Sequence, residues 1–235
     1  ILSSHEQLSQ TASAIRGLDR GTVRIGSSNY RSSTIPARAI PIINERYPHI
    51  DICLEEGTTR ELEDFAIQGK TDFSIVVKPT GHRDLDYIEL FREELLLAVS
   101  PDWGLGREPL HDEGLHSRYP VFDYHSLDGH PFLVMKEGQE LRHSFFALVE
   151  ALDISPTAAL ETTDMATAQT LAGIGVGAAI VPGGLALANI PAVEPKYFSL
   201  RAYLDDWDIV LAYKRGRYLS KADKAVIRVI CDVAG

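Results

Sequence analysis

Apolar and polar positions from residue 21 onward alternate between the period of a strand and the period of a helix. Val23 and Ile25 belong to a first predicted strand, which a polar loop follows. Pro48 is expected to end the next helix, and Pro41 inside that helix predicts a kink or a late start. The apolar face of this helix comprises Ile35, Ala39, Ile42, Ile43 and Tyr47.

Two more strands and a helix complete this first half. Strands are predicted at 50–55 and 72–77. Between them, Thr58 and Glu61 have capping-box spacing, and Gly69 is suited to end the helix. The order βαβαβ predicts a parallel sheet with right-handed crossovers.

The same alternation continues in the second half of the chain. Two strand-like runs lie within 85–100 and are broken near Arg92 and Glu93, whereas 101–130 is irregular and gives no assignment. Strands are then predicted at 131–135, up to Leu160, at 176–181 and at 207–213. Helices are predicted on Leu141, Phe145, Leu148 and Leu152, from Asp164 to Gly173, and after the Ser220–Asp223 cap.

Composition and charge argue against several classes of protein. There are 23 basic and 33 acidic residues, a net charge of −10, so this segment is not expected to bind nucleic-acid phosphates. No apolar run approaches the length of a membrane span, and nothing at the start of the chain resembles an export signal. Cys53 and Cys231 lie in apolar patterns and are predicted to be buried thiols in a reducing cytoplasm.

Several kinds of chemistry find no support in the sequence. The glycines of 173–177 follow a helix and precede a strand, the reverse of a dinucleotide fingerprint, so they predict a tight, close-packed turn. The histidine spacings match no zinc pattern, and no nucleophile–base motif is present. We therefore expect neither a metal nor a cofactor, and no catalysis.

Polar loops that follow strands are more informative. Residues 27–33, 57–59 and 161–163 are rich in hydroxyls and precede helices. Ligands of open α/β sheets bind beyond the carboxyl ends of the strands, and helix starts can hold an anion without lysines. N-capping alone would explain any one loop, but three together favour a binding site. Arg31 is either a carboxylate partner or a solvated surface residue.

A series of short motifs, in order and spacing, resembles the LysR-type transcription regulators. The matching segments are 21–26 (GTVRIG), 45–48 (ERYP), 56–58 (EGT), 69–75 (GKTDFSI), 131–134 (PFLV), 171–177 (LAGIGVG) with 181–182 (VP), and 217–220 (RYLS). Together they cover about 20–235. The resemblance implies an effector-binding α/β domain of two Rossmann-like lobes joined by two crossover strands, similar to periplasmic binding proteins of type 2.

The resemblance also implies boundaries and partners. Residues 1–19, with an apolar stripe through Leu8, Ala12, Ile15 and Leu18, would be the end of a linker helix. Lobe I would hold 20–92 and 206–235, and lobe II would hold 93–205. DNA would be bound by a winged helix-turn-helix outside this segment, in a homodimer or homotetramer. The alternative is the solute-binding receptor of a transporter, which shares the architecture.

By the family pattern, a small polar or anionic effector lies in the cleft between the lobes. Hydroxyls and helix starts would orient it, and apolar side chains would exclude water. The residues implied are Ser28, Tyr30, Arg31, Ser33, Thr58, Thr59, Phe132, Val134, Thr162, Thr163 and Ile174.

Overall fold

The chain forms two compact α/β units, seen in a computed structural model that describes residues 21–78, 82–106, 113–188 and 190–235. The first unit holds the described residues up to Phe91 together with Asp208–Gly235, and the second holds Arg92–Trp207. From the sequence, these divisions are predicted after 92 and 205. The predicted linker helix at 1–19 lies outside the described residues.

Strands and helices alternate through the first unit as the apolar pattern predicts. The elements are β1 (Gly21–Ser27), α1 (Asn29–Thr34), α2 (Pro36–Arg46), β2 (Ile50–Glu56), α3 (Thr59–Gln68), β3 (Phe73–Lys78) and β4 (Leu85–Glu93). Thr58 and Glu61 form the capping box of α3, and Gly69 ends that helix with φ 75°, so both predictions are confirmed.

Two details of this half differ from the prediction. The polar loop after β1 is largely helical, because the Ser28 side chain caps α1. The next helix begins at Pro36, where a proline costs no hydrogen bond, and it accommodates Pro41 in its interior, so the late start predicted for it is wrong.

The second unit is built in the same way. Its elements are β5 (Leu95–Val99), β6 (Pro131–Met135), α4 (Glu140–Leu152), β7 (Thr157–Thr162), α5 (Met165–Gly173), β8 (Ala178–Pro182), α6 (Gly183–Ala188) and β9 (Lys196–Ser199). Neither α6 nor β9 is predicted from the sequence. The irregular stretch at 101–130 contains short 3-10 helices at Pro101–Trp103, Glu113–Leu115 and Tyr124–Leu127 in its described parts.

The chain then returns to the first unit. Strand β10 (Trp207–Lys214) is followed by α7 (Lys221–Ala234), whose predicted capping box between Ser220 and Asp223 is confirmed. Both cysteines are free thiols, but they are only partly buried, so the prediction of buried thiols is wrong in degree.

Each unit contains one five-stranded mixed sheet, with strand orders β2-β1-β3-β10-β4 and β7-β6-β8-β5-β9. The predicted parallel pairing is confirmed for β1 with β2 and β3, whereas β10 runs antiparallel to β3. In the second sheet, β6 is parallel to β7 and β8, and β5 is antiparallel to β8.

One edge of each sheet gathers the ends of its parallel strands, and we call this the carboxyl edge. In the first unit, Ser27 of β1 pairs with Glu56 of β2 there, and α1 and α3 begin beyond them. In the second unit, Met135 of β6 pairs with Thr162 of β7, and α4 and α5 begin beyond them. The predicted polar loops therefore lie at the carboxyl edges.

Candidate functional site

At the carboxyl edge of the first unit, two of the predicted serines are engaged in local structure. The Ser28 hydroxyl accepts a hydrogen bond from the Arg31 N–H at 3.3 Å, which caps α1. The exposed Ser33 donates its hydroxyl to the Tyr30 carbonyl at 2.8 Å. Ser28 retains its hydroxyl hydrogen for a ligand, whereas the donor of Ser33 is used within its own helix.

Arg31 is buried, so its interpretation as a solvated surface residue is wrong. Only 5% of the residue is exposed. Its guanidinium lies 4.8 Å from the ring centre of Tyr30 and 5.8 Å from that of Phe91 on β4, distances at which a cation is attracted to an aromatic face. The structure therefore brings Ser28, Tyr30 and Arg31 together and adds Phe91, which no motif of the sequence indicated.

The start of α3 is occupied by a carboxylate of the protein. Oε2 of Glu61 accepts hydrogen bonds from the Thr58 N–H and the Thr58 hydroxyl, each at 2.9 Å. The Thr58 backbone and side chain together lower the pKa of Glu61 below its usual value. The Thr58 hydroxyl is thus committed to the cap, and Thr59, beside it, is the half-buried hydroxyl that remains available.

In the second unit, Phe132 and Val134 are core residues. Both lie on β6 and are at most 3% exposed, and the Phe132 ring packs 5.4 Å from that of Phe145 on α4. Contact of either side chain with an effector stays a prediction.

Thr162 and Thr163 lie at the carboxyl edge of the second unit, where α5 begins. The Thr162 hydroxyl accepts from the Asp164 N–H at 3.1 Å. The Asp164 carboxylate caps the helix, accepting from the Ala166 N–H at 3.1 Å and from the Thr167 hydroxyl at 2.7 Å. As at α3, a carboxylate already occupies the helix start.

Ile174 lies away from these threonines. It follows the last residue of α5, and a nine-residue helix is about 13 Å long. It precedes β8, whose first residue, Ala178, pairs with Phe132 near the beginning of β6. Within the second unit, the structure therefore does not bring Ile174 together with Thr162 and Thr163.

The glycines beside Ile174 form the predicted close-packed turn between α5 and β8. A Cβ at Gly173 would lie 2.0 Å from the Val193 carbonyl oxygen, and Gly175 has φ 86°. Close approach and a left-handed conformation both require glycine here. The described residues contain no group of three or more histidine, cysteine, aspartate or glutamate side chains suited to a metal. None of the helices described could cross a membrane.

Two α/β units whose polar helix starts lie at the carboxyl edges define a domain of the ligand-binding class. The family described as "LysR substrate binding domain" matches residues 16–234, and the chain belongs to it. The resemblance inferred from the motifs is thereby confirmed.

The chain is similar in sequence to several proteins that are named as transcription regulators. The chain is 27% identical over 194 residues to an uncharacterized HTH-type transcriptional regulator, YcgK of Bacillus subtilis, covering 78% of this chain and 58% of the relative. It is 25% identical over 191 residues to a probable hydrogen peroxide-inducible genes activator of Streptomyces viridosporus, covering 81% and 55%. For YcgK and two further HTH-type regulators of Bacillus subtilis, YvbU and YybE, the chain spans between 44% and 64% of the relative's length.

Solved structures confirm the two-lobed fold of LysR regulatory domains. The effector-binding domain of QuiR in complex with shikimate has a TM-score of 0.71 at 17% identity, covering 92% of this chain and 97% of that one. The regulatory domain of Synechocystis PCC6803 CcmR in complex with 2-PG has a TM-score of 0.76 at 15% identity, covering 92% and 98%.

Proposed function

We propose that this domain is the effector sensor of a LysR-type transcription regulator and that it binds a small polar or anionic metabolite. Membership of the family supports this proposal. The observation that carries it furthest is the group at the carboxyl edge of the first unit, where a buried arginine, Arg31, lies with Ser28 and Tyr30 beyond β1.

Arg31 and the hydroxyl groups of the two carboxyl edges have distinct roles in the proposal. Arg31 pairs with a carboxylate of the effector, because a guanidinium shielded from water binds an anion more strongly than an exposed one. Ser28 and Thr59 donate to oxygen atoms of the effector, and Thr162 and Thr163 do so from the second unit. That a single metabolite contacts both carboxyl edges stays a sequence-based prediction.

The remainder of the protein supplies the regulatory output. DNA is bound by a helix-turn-helix domain outside this acidic segment, in a cytoplasmic homodimer or homotetramer. The relatives named as HTH-type regulators support this over a transport receptor and over an enzyme. The effector shifts the conformational equilibrium of the domain only by its difference in affinity for the two states.

Calorimetric titration of the domain with a panel of metabolites tests the proposal. A ligand found in this way is expected to lose about 1–3 kcal/mol of binding free energy in Thr59→Val, which leaves a polar atom of the ligand unpaired. Ser28→Ala is expected to weaken binding in the same direction. Unchanged affinity in both variants would reject the proposed site.

A further inference from the structure

The Arg31 guanidinium is contacted by aromatic rings from two different elements. Arg31 and Tyr30 are neighbours on α1, and the guanidinium carbon lies 4.8 Å from the centre of the Tyr30 ring. Phe91 is on β4, and the centre of its ring is 5.8 Å from the same carbon. All three residues belong to the first unit, so the contacts that form this group lie within that unit.

The two rings differ in what they fix. The Arg31 backbone is held in α1, where its N–H donates to the Ser28 hydroxyl at 3.3 Å and its carbonyl accepts from the Ile35 N–H at 2.9 Å. Tyr30 follows any movement of this six-residue helix, because it belongs to it. Phe91 lies on a strand of the first sheet, where β4 is the neighbour of β10. The Phe91 ring therefore fixes the guanidinium relative to the sheet.

The strength of this contact is a bias on the orientation of the Arg31 side chain. Holding a long side chain in one rotamer costs conformational entropy. A cation–π contact changes an equilibrium constant by about 2- to 5-fold at an exposed site and by about 30-fold when it is desolvated. Phe91 is near the distance limit of this interaction, whereas Arg31 is only 5% exposed, so we expect a bias of about 5-fold.

This bias affects the binding of a carboxylate. The donors of a guanidinium form a planar fork that matches the two carboxylate oxygens, and a guanidinium can stack on an aromatic face while it makes this pairing. If the ring is removed, the fraction of molecules in which Arg31 is ready to bind falls by at most the same factor. The apparent affinity falls with that fraction.

We propose that Phe91 is a positioning residue of the effector site. Its ring holds the Arg31 guanidinium in the orientation that pairs with a carboxylate of the effector. The inference rests on the proposed function and deepens it, because it adds a residue of β4 that neither the polar loops nor the family motifs indicate.

Acetate is the probe that isolates the carboxylate-binding step. The 235-residue chain is titrated with sodium acetate against sodium chloride at constant ionic strength, and the Nε–Hε resonance of Arg31 is followed by NMR. Phe91→Leu removes the ring and keeps apolar bulk, whereas Phe91→Tyr keeps the ring. Tyr87→Leu is the matched control, because Tyr87 lies on the same strand and its ring centre is 5.9 Å from Nζ of Lys78.

The variants are expected to separate the ring from its bulk. Phe91→Leu is expected to weaken acetate binding at Arg31 by about 5-fold, and Phe91→Tyr and Tyr87→Leu by less than about 2-fold. If Phe91 only filled space, leucine would serve as well as tyrosine.

The mobility of the guanidinium gives a second measurement, which needs no ligand. In the wild-type chain, the order parameter of the Arg31 Nε–Hε group is expected to exceed that of Arg38, which is exposed on α2. In Phe91→Leu the order parameter of Arg31 is expected to fall, and in Phe91→Tyr it should stay at the wild-type value.

Unchanged acetate affinity in Phe91→Leu, or an equal loss in Phe91→Leu and Phe91→Tyr, would overturn the inference and leave Arg31 as the carboxylate partner. An Arg31 side chain as mobile as Arg38 in the wild-type chain would overturn it too. If acetate does not shift the Arg31 resonance in the wild-type chain, the proposed pairing of Arg31 with a carboxylate fails together with the inference. The sensor function is then decided separately, by the metabolite titration.

Discussion

Arg201 lies near the two segments by which the chain enters and leaves the second unit, and its contacts offer a quantitative test of the structure. Its guanidinium donates to both carboxylate oxygens of Asp206, from Nε at 2.9 Å and from Nη2 at 2.7 Å. Nη1 donates to the carbonyls of Leu115, at 3.1 Å, and of His116. Asp206 directly precedes β10, so these hydrogen bonds fix to the second unit the segment by which the chain leaves it.

The other connection reaches the same guanidinium. Glu94, between β4 and β5, lies 3.8 Å from Nε of Arg201 and accepts from the Ser199 hydroxyl at 2.6 Å. The side chains of Arg201, Asp206 and Glu94 are 26%, 19% and 12% exposed. Removing the cation would leave two partly buried carboxylates near each other without compensation.

Arg201→Met is therefore expected to lower the free energy of unfolding by about 2–3 kcal/mol. This lies between the 3–5 kcal/mol for breaking a fully buried pair and the at most ~1 kcal/mol of an exposed one. For a chain of this size, the thermal midpoint is expected to fall by roughly 5–10 °C, as measured by circular dichroism.

Arg215→Met is the matched control for this measurement. Arg215 makes a similar contact with Asp86, Nε to Oδ1 at 3.0 Å, but the two side chains are 61% and 41% exposed. The cost there is expected to stay below about 1 kcal/mol. If Arg201→Met costs no more than Arg215→Met, the inference that burial makes the Arg201 group stabilising is wrong.

Three further predictions concern stability. Phe132→Ala is expected to cost about 3–5 kcal/mol in urea unfolding, against much less for the exposed Phe146→Ala; similar costs would contradict its place in the core. Gly173→Ala is expected to lower the thermal midpoint, because its Cβ would meet the Val193 carbonyl, and an unchanged midpoint would refute that contact. Because the pKa of Glu61 is depressed in the folded chain, its carboxylate stabilises the fold above the ordinary glutamate pKa, about 4.3, and this stabilisation is lost at lower pH. The stability advantage of the wild-type chain over Glu61→Gln should therefore shrink from pH 7 to pH 3. A constant difference in stability would exclude this contribution.

Local rules explain why so much of the fold could be predicted. The capping boxes at Thr58 and Ser220 and the left-handed Gly69 each depend on a few neighbouring residues, so the sequence determines them directly. The buried face of α4, on Leu141, Phe145, Leu148 and Leu152, follows from helical periodicity alone.

The missed elements depend on contacts that are distant in sequence. Strand β9 is only four residues long, and its pairing with β5 aligns Phe198 with Leu97 about a hundred positions away. Similarly, no local pattern shows that Arg31 is buried, because Phe91 lies on a strand sixty residues later. Antiparallel pairing of β10 with β3 is likewise a consequence of the chain's return to the first unit.

The candidate site residues also differ in whether a local rule could predict them. The loops at Ser28, Thr58 and Thr162 were located by the rule that polar turns follow parallel strands, and the structure places them at the carboxyl edges. Ile174 was carried over from the family pattern, and the structure places it at the other end of α5. The length of α5 separates Ile174 from Thr163, and the number of residues between them could have indicated this separation.

Native mass spectrometry of the purified domain is the most direct test of the claim that it holds a small metabolite at its carboxyl edges. The wild-type domain is expected to retain a co-purified ligand or to acquire one from a metabolite extract, and Thr59→Val is expected to release it. Thr157→Val, at the opposite end of β7 from Thr163, should retain it. Equal retention by both variants, or a wild-type domain that binds no metabolite from the extract, would contradict the account.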